Sequence, residues 1–160
     1  ARARSSDGGL ELFRHQIKSA VLAERKWIGD RFDRQTTIFG GKSKALFDYV
    51  GSDLAINFGK LDIGISSHSQ QRDRLLHRLH QLLALREDEK QIAHKVNNLM
   101  LGVWTPARHL TTKEEDTFGA YTTELEFAAN RSGVTYILAN EGAEGGEITS
   151  PFVSRILADA

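Results

Sequence analysis

The chain has 160 residues, of which 40% are hydrophobic and 26% charged, and it carries no formal net charge and no cysteine. This composition is ordinary for a globular protein large enough to bury a core. The balanced charge argues against nucleic acid or an acidic membrane as the main partner. The missing cysteines exclude disulfides and thiolate metal sites and are compatible with a cytoplasmic location. No apolar run approaches the roughly 20 residues that span a bilayer.

Apolar residues in the first part of the chain recur at spacings of three and four, which predicts helices. After a flexible tail over residues 1–9, one helix is predicted to run to about Arg34. A second is predicted from Ser43 to about Phe58, because Gly40-Gly41 breaks the pattern between them. Residues 10–64 would then form an N-terminal helical region, either a sensory layer or a packing layer.

A long third helix is predicted from about Ser69 to Val103. A capping box over 67–70 begins it, and Pro106 ends it because the residue before a proline is pushed out of helical geometry. A helical hairpin alone cannot bury such a long apolar seam, so we expect a homodimer. The seam consists of Leu75, Leu79, Leu82, Val96 and Leu99.

Overlapping capping boxes over residues 111–115 predict the start of a fourth helix. The segment Val134–Leu138 has strand propensity, but a lone strand would have no pairing partner, so helix is predicted there too. Ser150-Pro151 predicts a short final helix, since proline is favoured at the first helical position. The sequence therefore predicts an all-α protein with a central hairpin over 65–147 and a C-terminal helix or linker over 148–160.

The stretch Gln91–Met100 falls within the third predicted helix. Ile92, Val96 and Leu99 would share one apolar stripe, which places His94 on the outer face at about 100° per residue. A neutral imidazole is a nucleophile near pH 7, and Lys90 or Lys95 could steady phosphoryl oxygens as point charges. The alternative interpretation is a solvated surface histidine without a function.

This stretch, Ile92-Ala93-His94-x-x-Asn97-Asn98-Leu99, resembles the phosphoacceptor box of histidine kinases. The segments 126–133 and 137–139 are similar to the partner helix of the same family. The resemblance implies an antiparallel helical hairpin that dimerises into a four-helix bundle and carries a phosphoryl group on His94. It also implies that Asn98 can orient a water during dephosphorylation, with Lys90, Lys95 and Asn97 contacting the phosphate or the partner.

The resemblance implies a two-component phosphorelay protein that exchanges its phosphoryl group with a response-regulator receiver domain. No cofactor is expected on the chain itself, and Mg²⁺ would be bound by the receiver. Lys95 replaces the acidic residue that usually follows the histidine, which leaves phosphotransfer or an inactive relative open. A histidine-containing phosphotransfer domain fits less well. The alternative function is a non-catalytic helical sensory or adaptor module.

Three further histidines are candidate sites. Arg14-His15-Gln16-Ile17 faintly echoes a phosphoacceptor box, but a solvated helix face is the usual reason for such a residue. His77 and His80, at i and i+3, could place two metal ligands on one helix face. No third ligand is clustered with them, so surface histidines are the preferred interpretation and no metal is expected.

Overall fold

The computed structural model describes residues 2–88, 96–142 and 147–160, with side chains from Gly8 onward. In these residues a five-stranded sheet lies between two layers of helices. The strands are β1 (Phe32–Ile38), β2 (Ser43–Val50), β3 (Leu54–Lys60), β4 (Asn98–Thr105) and β5 (Val134–Asn140). The α-helices are α1 (Arg2–Glu24), α2 (His68–Arg86), α3 (Thr112–Arg131) and α4 (Ser150–Asp159), and a 3₁₀ helix spans Lys26–Arg31.

The sheet has the strand order β1-β2-β3-β4-β5 and is mixed. The first three strands form an antiparallel meander, whereas β3, β4 and β5 run parallel to one another. Parallel neighbours need crossover connections, and α2 and α3 supply them between β3 and β4 and between β4 and β5. The result is an α/β fold with a central sheet.

The core is divided by the sheet into two hydrophobic clusters. Leucines of α2 and α3, such as Leu79 and Leu125, pack on one face, and residues of α1 and α4, such as Phe13 and Phe152, pack on the other. The strands β3 and β4 are covered on both sides, which explains their nearly continuous apolar sequences.

The predicted all-α hairpin fold is wrong, because the described residues form an α/β sheet structure. The predicted second helix is replaced by β2, a turn and β3, and the predicted long third helix ends at Arg86. Residues 98–105, assigned to the end of that helix, form β4 instead. The segment Val134–Leu138 lies in β5, where β4 is the pairing partner that the sequence interpretation did not foresee.

Other helix predictions are confirmed. Helix α3 begins with the predicted capping box, in which Thr111 accepts a hydrogen bond from the Glu114 amide and Glu114 accepts one from the Thr111 amide. Helix α4 has Pro151 in its first turn, as predicted. Within the described residues, none of the helices has the length and apolar character required to cross a membrane.

The Asp159 carboxylate links the end of α4 to the end of β2 and to the turn between β2 and β3 by hydrogen bonds. It accepts hydrogen bonds from the Tyr49 hydroxyl at 2.8 Å, from the Ser52 amide at 3.0 Å and from the Asp53 amide at 2.8 Å. Burial, aided by Asp159, raises the pKa of the Tyr49 hydroxyl, which therefore remains a donor. Arg31 adds an ion pair at 3.6 Å.

We expect Asp159→Ala to lower the free energy of unfolding by about 2 kcal/mol, since hydrogen bonds to a charged acceptor are lost. Urea unfolding of the variant and of wild type measures this difference. The matched control is Asp116→Ala, which removes an exposed carboxylate from α3 and should change stability by less than about 0.5 kcal/mol. Equal effects of the two substitutions would contradict the anchoring role of Asp159.

Candidate functional site

The antiparallel strands β2 and β3 diverge soon after the turn that joins them. In the described structure they are paired at two positions, Tyr49 with Ile56 and Val50 with Ala55. Beyond these pairs β2 continues alongside β1, and β3 continues alongside β4. A split therefore opens in the sheet between residues 43–48 of β2 and 57–60 of β3.

Polar side chains satisfy backbone groups along this split. The Phe58 amide donates to the Asp48 carboxylate at 2.6 Å, and the Asp48 amide donates to the Asn57 side-chain oxygen at 3.3 Å. The Arg78 guanidinium donates to the Leu46 carbonyl at 2.6 Å and to the Phe58 carbonyl at 3.4 Å. Because buried backbone groups need partners, these side chains replace the missing hydrogen bonds of the ladder.

Two arginines from opposite sides of the sheet meet at Asp48, whose side chain is only 10% exposed. Arg14 of α1 places its Nε 3.0 Å from one carboxylate oxygen, and Arg78 of α2 donates from Nη2 to the other at 2.7 Å. Burial lowers the pKa of the Arg78 guanidinium, Asp48 opposes this, and the nearby Arg14 lowers the pKa further. Asp48 thus holds two cations that would otherwise repel each other.

A cavity of about 220 Å³ opens beside this pair and is called here the cationic cavity. Four of its described lining residues are cations, and none is a carboxylate. Arg74 is exposed and forms no ion pair with another described residue. Arg14 and Arg78 are both ion-paired with Asp48, and Arg14 also contacts Glu11. The four cations are Arg14, Lys60, Arg74 and Arg78.

A second cavity of about 180 Å³, called here the mixed cavity, shares Arg14 and Phe58 with the first. Its charged groups are of both signs and are paired. Lys18 lies 3.6 Å from Asp33, and Arg14 contacts Glu11. The remaining described lining residues include His15, Asp48 and the Phe32 ring.

The carboxyl ends of the parallel strands, where ligands often bind in open α/β sheets, offer less room here. Arg108 donates to both oxygens of the fully buried Asp62, at 2.6 Å and 2.8 Å, and this hydrogen-bonded pair raises the pKa of Arg108. The cavity beside this pair measures only about 60 Å³. The split between β2 and β3 is therefore the better candidate site.

Two residues of the predicted phosphoacceptor site are described, and both bind Asp53. Asn97 donates from its amide and its side chain at 3.1 Å and 3.2 Å, and Asn98 donates from its side chain at 2.6 Å. Asn98 begins β4, whereas it had been predicted to lie on a helix. The other three residues, His94, Lys90 and Lys95, lie outside the described residues.

The three other candidate histidines, His15, His77 and His80, occupy exposed positions. His15 accepts or donates a hydrogen bond with Ser19 at 3.3 Å, and His77 has a similar contact with Gln81 at 3.3 Å. His80 is exposed on α2. Among the described residues there is no group of three histidine, cysteine or carboxylate side chains arranged to hold a metal ion.

Sequence analysis did not identify the residues at the split. One signal was present, because Asp48 interrupts the apolar run Leu46-Phe47-Asp48-Tyr49-Val50, and a carboxylate within a buried segment is rare unless it is paired. Nothing in the sequence alone indicated which arginines would pair with it.

The geometry defines a cleft lined by arginine and lysine side chains in a split α/β sheet. Comparison of the chain with protein-family models, with curated proteins and with solved structures gives no significant match.

Proposed function

We propose that the protein binds a phosphate-bearing anion in the cationic cavity. The observation that supports this proposal is the convergence of four cations on a cavity whose described lining contains no carboxylate. A phosphate monoester carries a charge of about −1.5 to −2 at pH 7, which matches several cations better than a carboxylate does. Guanidinium groups bind its oxygens through paired hydrogen bonds, and lysine acts as a compact point charge.

Asp48 supports this function by holding Arg14 and Arg78 in place before a ligand arrives. A binding group that is already ordered loses less conformational entropy on binding. Arg78 is further fixed by its bonds to the Leu46 and Phe58 carbonyls. Lys60 and the exposed Arg74 complete the cavity from the end of β3 and from α2.

We expect Arg74→Ala to weaken binding of inorganic phosphate about tenfold, which corresponds to the loss of one charge-assisted contact of about 1.4 kcal/mol. Arg74 is exposed, so the fold should be unaffected. Isothermal titration with inorganic phosphate at an ionic strength of about 0.15 M, where the Debye length is about 8 Å, measures the dissociation constant.

The matched control for this titration is Arg131→Ala, which removes an exposed arginine from the last turn of α3, away from the cavity. It should leave the dissociation constant within about twofold of wild type, since exposed charges beyond a Debye length are largely screened. Equal weakening by both variants would indicate unspecific attraction. Failure of wild type to bind millimolar phosphate would overturn the proposal.

The resemblance at residues 92–99 supports one alternative, in which His94 exchanges a phosphoryl group with a response-regulator receiver domain. The prediction of a helical hairpin that presents His94 is wrong, because the fold is α/β. This alternative therefore depends on the sequence motif alone. Its test is acid-labile phosphate on wild type, but not on His94→Gln, after incubation with a phosphorylated receiver and Mg²⁺. A cytoplasmic location remains a prediction from composition.

The predicted homodimer also remains a prediction. The dimer was predicted because the apolar seam needed a partner, and that reason no longer holds, because the seam is covered within the chain. The seam residues lie in the hydrophobic cluster between the sheet and helices α2 and α3. Sedimentation at tens of micromolar would decide the oligomeric state. The seam residues concerned are Leu75, Leu79, Leu82, Val96 and Leu99.

A further inference from the structure

The two edge strands of the sheet differ in how they are protected from pairing with another chain. In the described residues β1 pairs with β2 alone and β5 with β4 alone. Strand β1 contains Asp33 and Arg34, and Asp33 has a φ of 51° and lies 3.6 Å from the Lys18 ammonium. Charged side chains and departures from extended geometry discourage the addition of a further strand. The β1 edge is therefore protected.

Strand β5 has none of these protections. Its sequence, Val-Thr-Tyr-Ile-Leu-Ala-Asn, contains no charged residue and no proline, and none of its residues has a positive φ. Most of these residue types favour strands. Tyr136 and Ile137 are half-buried, and the Leu138 side chain is 36% exposed. An uncharged edge strand with an exposed apolar side chain is a site at which a further strand can add.

The backbone groups on the outer side of β5 belong to alternate residues. The Glu141 amide donates to the Thr105 carbonyl of β4 at 3.0 Å, so odd-numbered residues of this segment face β4. Because successive residues of a strand direct their backbone groups to opposite sides, Tyr136 and Leu138 face away from β4. Their amides and carbonyls are the donors and acceptors that a further strand would bind.

We propose that β5 pairs antiparallel with β5 of a second copy of this chain, so that the two sheets form one continuous sheet about a two-fold axis. A two-fold contact requires a strand that is complementary to itself. An axis at Ile137 brings all residues of β5 into register and places Tyr136 of each copy opposite Leu138 of the other. This arrangement covers the exposed Leu138 side chain, and no like charges face each other across the paired strands.

A pair of short strands is a small interface compared with the roughly 1,200 Å² or more that stable complexes bury, so the dimer should be weak. Sedimentation velocity of wild type from about 10 to 300 μM should therefore show a monomer–dimer equilibrium. Leu138→Lys should raise the dimer dissociation constant about tenfold or more, because it puts a charge on the edge strand of both copies. The matched control is Leu46→Lys, the same change at a leucine on β2 that is 54% exposed, which should stay within about twofold.

Disulfide cross-linking tests the register, since the chain has no cysteine and an introduced one can pair only with its own copy in another molecule. With the axis at Ile137, two Ile137→Cys residues lie opposite each other with Cα atoms about 4.5 Å apart, which suits a disulfide. Two Leu138→Cys residues would be offset along the strands by two residues and roughly 8 Å apart, too far for a disulfide. Mild oxidation should therefore cross-link Ile137→Cys about tenfold faster than Leu138→Cys, although Leu138 is the more exposed residue.

Wild type that stays monomeric throughout this concentration range overturns the inference. A dimer that Leu138→Lys leaves intact also overturns it, because its interface then lies elsewhere on the molecule. Cross-linking of Leu138→Cys as fast as Ile137→Cys contradicts the proposed pairing. If circular dichroism shows that Leu138→Lys does not fold, the two cysteine variants decide the question. The dimer does not depend on phosphate binding, so its failure leaves the proposed function unaffected.

Discussion

Asp48→Ala is expected to lower the free energy of unfolding by about 3–5 kcal/mol, the usual cost of removing one partner from a buried ion pair. Asp48 is nearly buried, forms an ion pair with Arg14, and accepts hydrogen bonds from Arg78 and the Phe58 amide. Its removal leaves two half-buried guanidinium groups without the carboxylate that lies between them. The split in the sheet then loses its central contact.

Urea unfolding measures this loss, with Asp116→Ala on the surface of α3 as the control that should cost less than about 0.5 kcal/mol. Asp48→Asn keeps the shape but not the charge, so it should fall between alanine and wild type. In a double-mutant cycle with Arg78→Met, we expect the two losses to be strongly non-additive, because both substitutions break one contact. Additive losses would mean that Asp48 and Arg78 act independently.

Phe152→Ala should lower the free energy of unfolding by about 3–5 kcal/mol, the range for deletion of a buried aromatic ring. The Phe152 ring packs edge-on against Phe58 and Phe13, with centroids 5.0 Å and 5.7 Å away, and Phe13 and Phe58 are 5.3 Å apart. Gly102 in β4 lies beneath these rings, and a Cβ there would collide with Phe58 and Phe152.

Phe127→Ala is the matched control for this substitution. It deletes the same side chain at a position on α3 that is 65% exposed, so its effect should stay within about 0.5 kcal/mol. Phe152→Leu should cost less than Phe152→Ala, because it retains part of the buried volume. A loss below about 1 kcal/mol for Phe152→Ala would show that α4 contributes little to the core.

The helices at the surface of this fold could be predicted from the sequence, since their signals are local. Thr111 and Glu114 form a capping box, and Pro151 suits a first helical turn. These features depend on neighbours within one turn, and a single sequence contains all of that information. Helix α2 begins at His68, close to the predicted start, but Ser67 makes no side-chain capping hydrogen bond, so the capping box predicted over residues 67–70 does not form.

The central strands could not be predicted in this way, because a strand covered on both faces has no alternation. In β4 the run Leu99–Trp104 is almost wholly apolar, so it matches a helical spacing as well as any other. The same ambiguity applies to residues 43–58. The residues Gly51, Ser52 and Asp53 form turns readily, and their cluster indicates a break between two elements. Once β4 was missed, Val134–Leu138 had no visible partner and was also assigned wrongly.

The candidate site depends on the missed strands. Asp48 and Lys60 belong to β2 and β3, and Arg14 and Arg78 reach them from helices on opposite faces of the sheet. Contacts between residues 14, 48 and 78 are set by the tertiary fold, and no local spacing encodes them. The predicted site at His94 came from a short sequence box, which carries no such three-dimensional information.

The short pairing between β2 and β3 has a mechanical consequence. The β1–β2 hairpin is joined to β3 through two paired positions, at Tyr49 and Val50, in the described sheet. Along residues 43–48, side-chain contacts of Asp48 and Arg78 rather than a backbone ladder therefore carry the mechanical load between the hairpin and β3.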